Sequence, residues 1–157
     1  MAPRKRHSGD ALRAVEEFRF RIRKFLDFSR RAARAAGLAP QQHQMLLVLA
    51  GGPAGPAPHI RLLAERLFLH HNSAVELVNR LERRGLAQRV ARSGDRRRVA
   101  IHITPRGRRL LHRLTRHHLA ELRTAGPELI RALQRVTAGT RRPAPLHSST
   151  PAKRRRA

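Results

Sequence analysis

Apolar residues recur every three or four positions through most of this chain, and the period changes to two over one short stretch. From Asp10, a candidate cap, to about Ala36 the apolar positions are Leu12, Val15, Phe18, Ile22, Phe25 and Leu26, with Phe28 near the end. Arg13, Glu17, Arg21, Lys24 and Arg31 fill the other faces. That spacing predicts a long helix, and four of the chain's five phenylalanines lie on it. So rich a stripe must be covered, by the chain's own core or by another subunit. Gly37 stops this helix and Pro40 starts a short buried one over 41–49, carrying Met45, Leu46, Val48 and Leu49. Residues 51–58 form a breaker-rich loop. Ile60, Leu63, Ala64 and Leu67, then Ala74, Leu77, Val78 and Leu81, repeat one helical spacing on either side of Leu69–His71. Two short amphipathic helices joined this tightly read as a helix-turn-helix. His59 is a poor cap for the first, which predicts a loose start; His71 or Asn72 caps the second, and Gly85 ends it.

After Gly85 the period shortens. Leu86–Val90 is one arm of a hairpin, and Val99, Ile101 and Ile103 alternate with Arg98, Ala100 and His102 in the other. The tip between them carries Arg92, Asp95, Arg96, Arg97 and Arg98. Thr104–Gly107 opens another long helix, with Leu110, Leu111, Leu114, Leu119 and Leu122 on one side and Arg106, Arg108, Arg109, Arg113 and Arg116 on the other. Gly126-Pro127 breaks it, and a further helix over 127–137 carries Leu129, Ile130, Leu133 and Val136. Residues 1–9 read as a mobile basic arm and 139–157 as a disordered basic tail. The fold class is mainly α with one small β-hairpin.

Charge narrows the function. The chain carries 35 Lys and Arg against 10 Asp and Glu, a formal charge of +25. Setting aside the nine basic residues at its two ends still leaves +16. Such a surface attracts polyanions, with nucleic acid first among them. Only three of the 35 are lysine, a pattern of GC-rich coding, so individual arginines need separate justification. No cysteine is present, which removes disulfides and Cys-based zinc sites. No apolar run spans a membrane, no helix suits a membrane surface and no secretory signal is recognisable, so a cytoplasmic protein is expected. The ten histidines include the adjacent pairs His70-His71 and His117-His118. Adjacent helical residues do not share a face, so no metal site and no cofactor are expected. There is no phosphate-binding glycine loop, no Gly-x-Ser-x-Gly and no credible carboxylate pair, so an enzyme is not expected.

The polar face of the second short helix supplies the candidate groove contacts: Asn72, Ser73, Val75, Glu76, Asn79 and Arg80, with His70 and His71 placed for phosphate. Asn pairs with adenine, Arg with guanine, and the Val75 methyls suit thymine. Glu76 either accepts from a cytosine amino group or orients Arg80 at i+4, and the orienting role is favoured. In the hairpin tip, Asp95 either holds Arg97 in one rotamer or caps the turn; an ordered Arg97 then meets phosphate or the minor groove. Arg92, Arg96 and Arg98 add to that basic edge.

The run LxxRLERRGL, the tip GDRRR and the step Ile103-Thr104-Pro105-Arg106-Gly107 together resemble the MarR family of winged helix-turn-helix regulators. The resemblance covers roughly 10–138 in layout and is specific over about 60–107. It implies a winged helix-turn-helix over 59–107 and a helical dimerisation region from 10–36 and 108–138. It further implies a homodimeric bacterial repressor with 72–84 in a major groove and 91–98 on the flanking backbone, on a near-palindromic site of double-stranded DNA. The Asp95–Arg97 pairing matches the family's wing. A small aromatic or anionic effector is the class of ligand it implies, although no Tyr or Trp is present to line such a site. The proline-rich loop at 51–58 is longer than the family's linker and leaves its short strand in doubt. Two other readings compete: a sequence-tolerant nucleoid-type or RNA-binding protein driven by charge, and an interaction protein that no longer reads DNA.

Overall fold

The computed structural model describes residues 4–52, 57–92 and 95–139. In chain order they form α1 (Arg4–Ala35), α2 (Pro40–Gly51), α3 (Ile60–Leu67), α4 (His71–Arg83), β1 (Ala87–Arg92), β2 (Asp95–Ile103) and α5 (Pro105–Gly139). The mainly helical architecture with one antiparallel hairpin is the one the periodicities predict.

Two helix limits differ from expectation. α1 begins at Arg4, so residues 4–9 are helical rather than a mobile arm, and Asp10 lies inside the helix, paired with Arg13, instead of capping it. α5 is one helix through Pro127, where two were expected. Proline removes one backbone donor and crowds the preceding turn. Packing against α1 on both sides of the site holds the helix together: Ser29 meets His118 and Arg21 pairs with Glu128, which also makes the two long helices antiparallel.

The core joins both halves of the chain. Leu38, Met45, Leu46, Leu63, Leu77, Val78, Leu81, Leu86, Ile101, Ile103, Leu111 and Leu114 form one buried cluster, so α2–α4, the hairpin base and the first turns of α5 fold on a single centre. In the hairpin, Ala87 pairs with Ile103 and the register runs evenly to Ala91 opposite Val99, after which an irregularity sets Arg92 opposite Asp95. Ala100, expected outward, is also buried. The Ile101 N–H donates to the Pro58 carbonyl at 2.9 Å. One backbone bond thus stands where the resemblance places a short third strand.

Helix ends explain how the elements turn. His59 caps α3 after all: its Nδ1 accepts from the Leu62 N–H at 3.1 Å. An imidazole nitrogen with its lone pair free serves as a cap acceptor as a hydroxyl does. α4 starts one residue earlier than its expected caps, with His70 at the N-cap and no side-chain bond from it. Gly85 closes α4 at φ 63°, donating to Glu82 while Leu86 donates back to Leu81 at 2.9 Å. These two bonds make the αL turn that glycine takes without strain. Thr104 caps α5: its Oγ1 accepts from the Gly107 N–H at 3.1 Å and donates to the Gly85 carbonyl at 2.7 Å.

Candidate nucleic-acid interface

α4 has two faces. Ala74, Leu77, Val78 and Leu81 are buried, while His71, Asn72, Ser73, Glu76 and Arg80 are exposed and Val75 and Asn79 half-buried. His70 is exposed just before the first turn. All eight side chains expected on the reading face are therefore brought to one accessible surface. The side chains of Arg92, Asp95, Arg96, Arg97 and Arg98 lie outside the described residues, as do Ser93 and Gly94, and with them the expected Asp95–Arg97 pairing.

The polar wiring of this surface differs from the sequence reading. Glu76 accepts from the Asn79 amide at 3.2 Å rather than orienting Arg80. On the helix surface i+3 is as close as i+4, and the amide reaches the carboxylate with a shorter side chain. Asn79 Oδ1 in turn accepts from the Arg89 guanidinium at 2.9 Å. Arg89 also forms an ion pair with Glu82, whose Oε1 accepts from the Arg89 backbone N–H at 2.8 Å. A chain Glu76–Asn79–Arg89–Glu82 thus ties the outer face of α4 to β1, fixing the angle between helix and hairpin. Charge-assisted bonds of this kind are the stronger class, though partial exposure reduces their worth. Arg89 and Glu82 were missed from sequence. They sit seven positions apart across a turn, and no periodicity links such a pair.

Behind α4, Gln42 is buried on α2 and uses one oxygen twice: it accepts from the Ala39 N–H at 3.1 Å and from Arg84 at 2.8 Å. Further in, α1, α2 and α5 meet around two histidines. His118 bonds Ser29 Oγ at 2.9 Å and the Leu114 carbonyl at 2.7 Å, with Phe25 and Phe28 edge-on to its ring. His43, 1% exposed, lies 4.8 Å from it, ring centre to ring centre. Neither ring nitrogen of His43 has a partner among the described residues. Burial, and secondarily the neighbouring His118, lowers its pKa from 6.5 to about 4, so it is neutral at pH 7. No group of three or more His, Cys, Asp or Glu among the described residues is placed to hold a metal ion.

A two-helix unit with an exposed polar second helix, followed by a braced hairpin, is the geometry of a winged helix. The sequence model of the MarR family matches residues 36–98. Over that segment the chain is similar to the MarR family. The family is one of transcription regulators. A protein of Thauera aromatica that bears the name of a transcriptional regulatory protein for the hcr operon is 34% identical over 96 residues, 61% of this chain. The match spans little more than half, 56%, of that protein's length. Among solved structures, a MepR variant of S. aureus bound to an oligodeoxyribonucleotide superposes with a TM-score of 0.62 at 18% identity, over 77% of this chain and 93% of that one. CouR of Rhodococcus jostii, bound to p-coumaroyl-CoA, gives 0.55 at 27% identity, over 76% and 86%. The superpositions reach beyond the matched MarR segment. Among the described residues, no helix is long and apolar enough to cross a membrane.

Proposed function

We propose that this chain is a sequence-specific regulator of transcription that binds double-stranded DNA. It acts as a homodimeric repressor on a near-palindromic site and responds to a small aromatic or anionic effector. The observation that carries the reading is the amphipathic α4, whose exposed Asn72, Ser73 and Arg80 stand on a helix anchored by four buried apolar residues and braced to the hairpin through Arg89. A polar helix held this rigidly suits a major groove, and a basic hairpin beside it suits the flanking phosphates. In this reading Asn79, both of whose polar groups are engaged, is a brace, and base selection falls to Asn72, Ser73 and Arg80. His70, His71 and the wing residues Arg92, Arg96, Arg97 and Arg98 neutralise phosphate. The DNA-bound MepR variant and the ligand-bound CouR support the two halves of the proposal by likeness of fold. Action in the cytoplasm follows from the DNA target.

The +25 charge favours a second reading, a sequence-tolerant nucleoid-type binder. Binding of the full-length protein to its own upstream DNA and to a scrambled duplex, over several salt concentrations, separates the two. A preference of about a thousandfold or more supports the regulator; a ratio near one with a steep salt slope supports the nucleoid reading. Arg80→Ala should relax sequence preference by about 1–3 kcal/mol at its base pair, whereas Arg97→Ala should weaken all duplexes alike. Equal behaviour of the two variants would refute this division of roles.

A further inference from the structure

The end of α1, the turn after α4 and the first turns of α5 meet around a cavity of about 250 Å³. Its apolar lining includes Leu86 and Leu110, and its cationic lining is Arg84, Arg106, Arg109 and Arg113. The spacing 106, 109, 113 puts three of these arginines on one face of α5. Arg84 enters from the end of α4, its guanidinium bonded at 2.8 Å to the buried Gln42. One cation is therefore positioned before any ligand arrives, which lowers the entropic cost of binding.

The charge of this cavity is not neutralised from within. No Asp or Glu lines it. The eight ion pairs among the described residues engage Arg13, Arg21, Arg23, Arg30, Arg31, Arg61 and Arg89, and none includes a cavity arginine. Four guanidiniums converging on one small space repel each other when it is empty and are relieved by an anion of more than one charge. The positive end of α5 adds to the same field.

We propose that this cavity is a binding site for a small phosphoryl polyanion: diphosphate, or the diphosphate end of a larger ester. A monocarboxylate satisfies one guanidinium fork, whereas two phosphoryl groups offer oxygens to several. The volume is below the roughly 300–1,000 Å³ of pockets that enclose drug-sized ligands, so the charged end is what it holds. A free anion fits better than a DNA phosphate, because Arg84 lies about 18 Å along the α4 axis from Asn72 at 1.5 Å per residue. The site does not depend on the DNA-binding reading.

Titration calorimetry of the full-length protein with inorganic diphosphate, at an ionic strength fixed with sodium chloride, tests it. Saturable binding of one diphosphate per chain is expected. The double variant Arg109→Ala, Arg113→Ala should weaken it at least tenfold, and Arg108→Ala, a charge loss on the opposite side of α5, should leave it unchanged. Because all three positions are exposed, the variants keep the fold. Non-saturable heat, or equal loss in Arg108→Ala, would mean diffuse attraction and overturn the proposal. So would a double variant that loses duplex affinity while the parent shows no diphosphate binding; the cavity would then serve DNA phosphate.

Discussion

Phe68 ends α3 in the left-handed region, at φ 53°, with its ring 97% exposed. The Leu69 N–H reaches back to the Ala64 carbonyl at 2.9 Å, so the turn needs that conformation. A non-glycine residue there carries about 1–2 kcal/mol of strain, and an exposed ring recovers little of it by packing. Phe68→Gly should therefore stabilise the chain by about 1 kcal/mol, allowing for glycine's greater freedom when unfolded. Urea unfolding checks this, and an unchanged or lower midpoint would show that the ring has contacts that outweigh the strain. His43 makes the second prediction at this scale. Its folded pKa of about 4 is below the unfolded 6.5, so the unfolded chain binds the extra proton. The stability it contributes is complete above pH 6.5 and is lost as pH falls towards 4, by up to roughly 3 kcal/mol. His43→Leu should flatten that part of the pH–stability curve. It should cost little at pH 7, because it removes two ring nitrogens that lack partners. A curve as steep as the parent's between pH 6.5 and 4 would reassign the acid sensitivity.

Between elements, the joint of hairpin and α5 is set by one close approach. A Cβ on Gly107 would fall 2.2 Å from the Leu86 carbonyl oxygen, which already accepts from the Thr104 N–H at 3.1 Å. That oxygen is backbone in the core and cannot yield without moving β1. Gly107→Ala should cost about 3 kcal/mol or more, read as a lowered unfolding midpoint; loss of less than about 1 kcal/mol would mean the joint is loose. The element order, the buried stripes of α3 and α4, Gly85 and this Thr-x-x-Gly step were legible because each is written in local spacing. The unbroken α5 was not, because the contacts that carry it past Pro127 come from α1, about a hundred residues earlier in sequence. Nor was the Arg89 brace legible: Asn79, a residue assigned to the groove, bonds across to a strand whose approach only the folded core decides. His43 carries no signal in local spacing, because its burial against His118 depends on the long-range meeting of α2 and α5.

For the whole molecule, the apolar positions left uncovered are concentrated on the two long helices. Leu12 is 69% exposed and Ile130 56%, with Val15, Phe20, Leu26, Leu119, Leu122 and Leu133 also exposed. On α5 the positions 119, 122, 130 and 133 repeat at i, i+3, i+11 and i+14, one continuous face. The inner faces of the same helices are occupied within the chain, by Phe25 and Phe28 against His118 and by Ala132 in the interior. The sequence stripe thus divides between an internal contact and an outward face too extensive to remain in water. In the proposed homodimer a second copy covers this face, and a two-fold pair would also set two α4 helices side by side on one duplex. Ile130→Glu with Leu133→Arg alters only exposed positions, so each chain should stay folded while association is lost. Sedimentation at micromolar concentration should show the parent as a dimer and the variant as a monomer. The monomer should bind a full site at least a hundredfold more weakly, since the second half-site no longer engages within one complex. A parent that sediments as a monomer would remove the dimer from the proposal. A monomeric variant with undiminished affinity would show that one winged helix is enough.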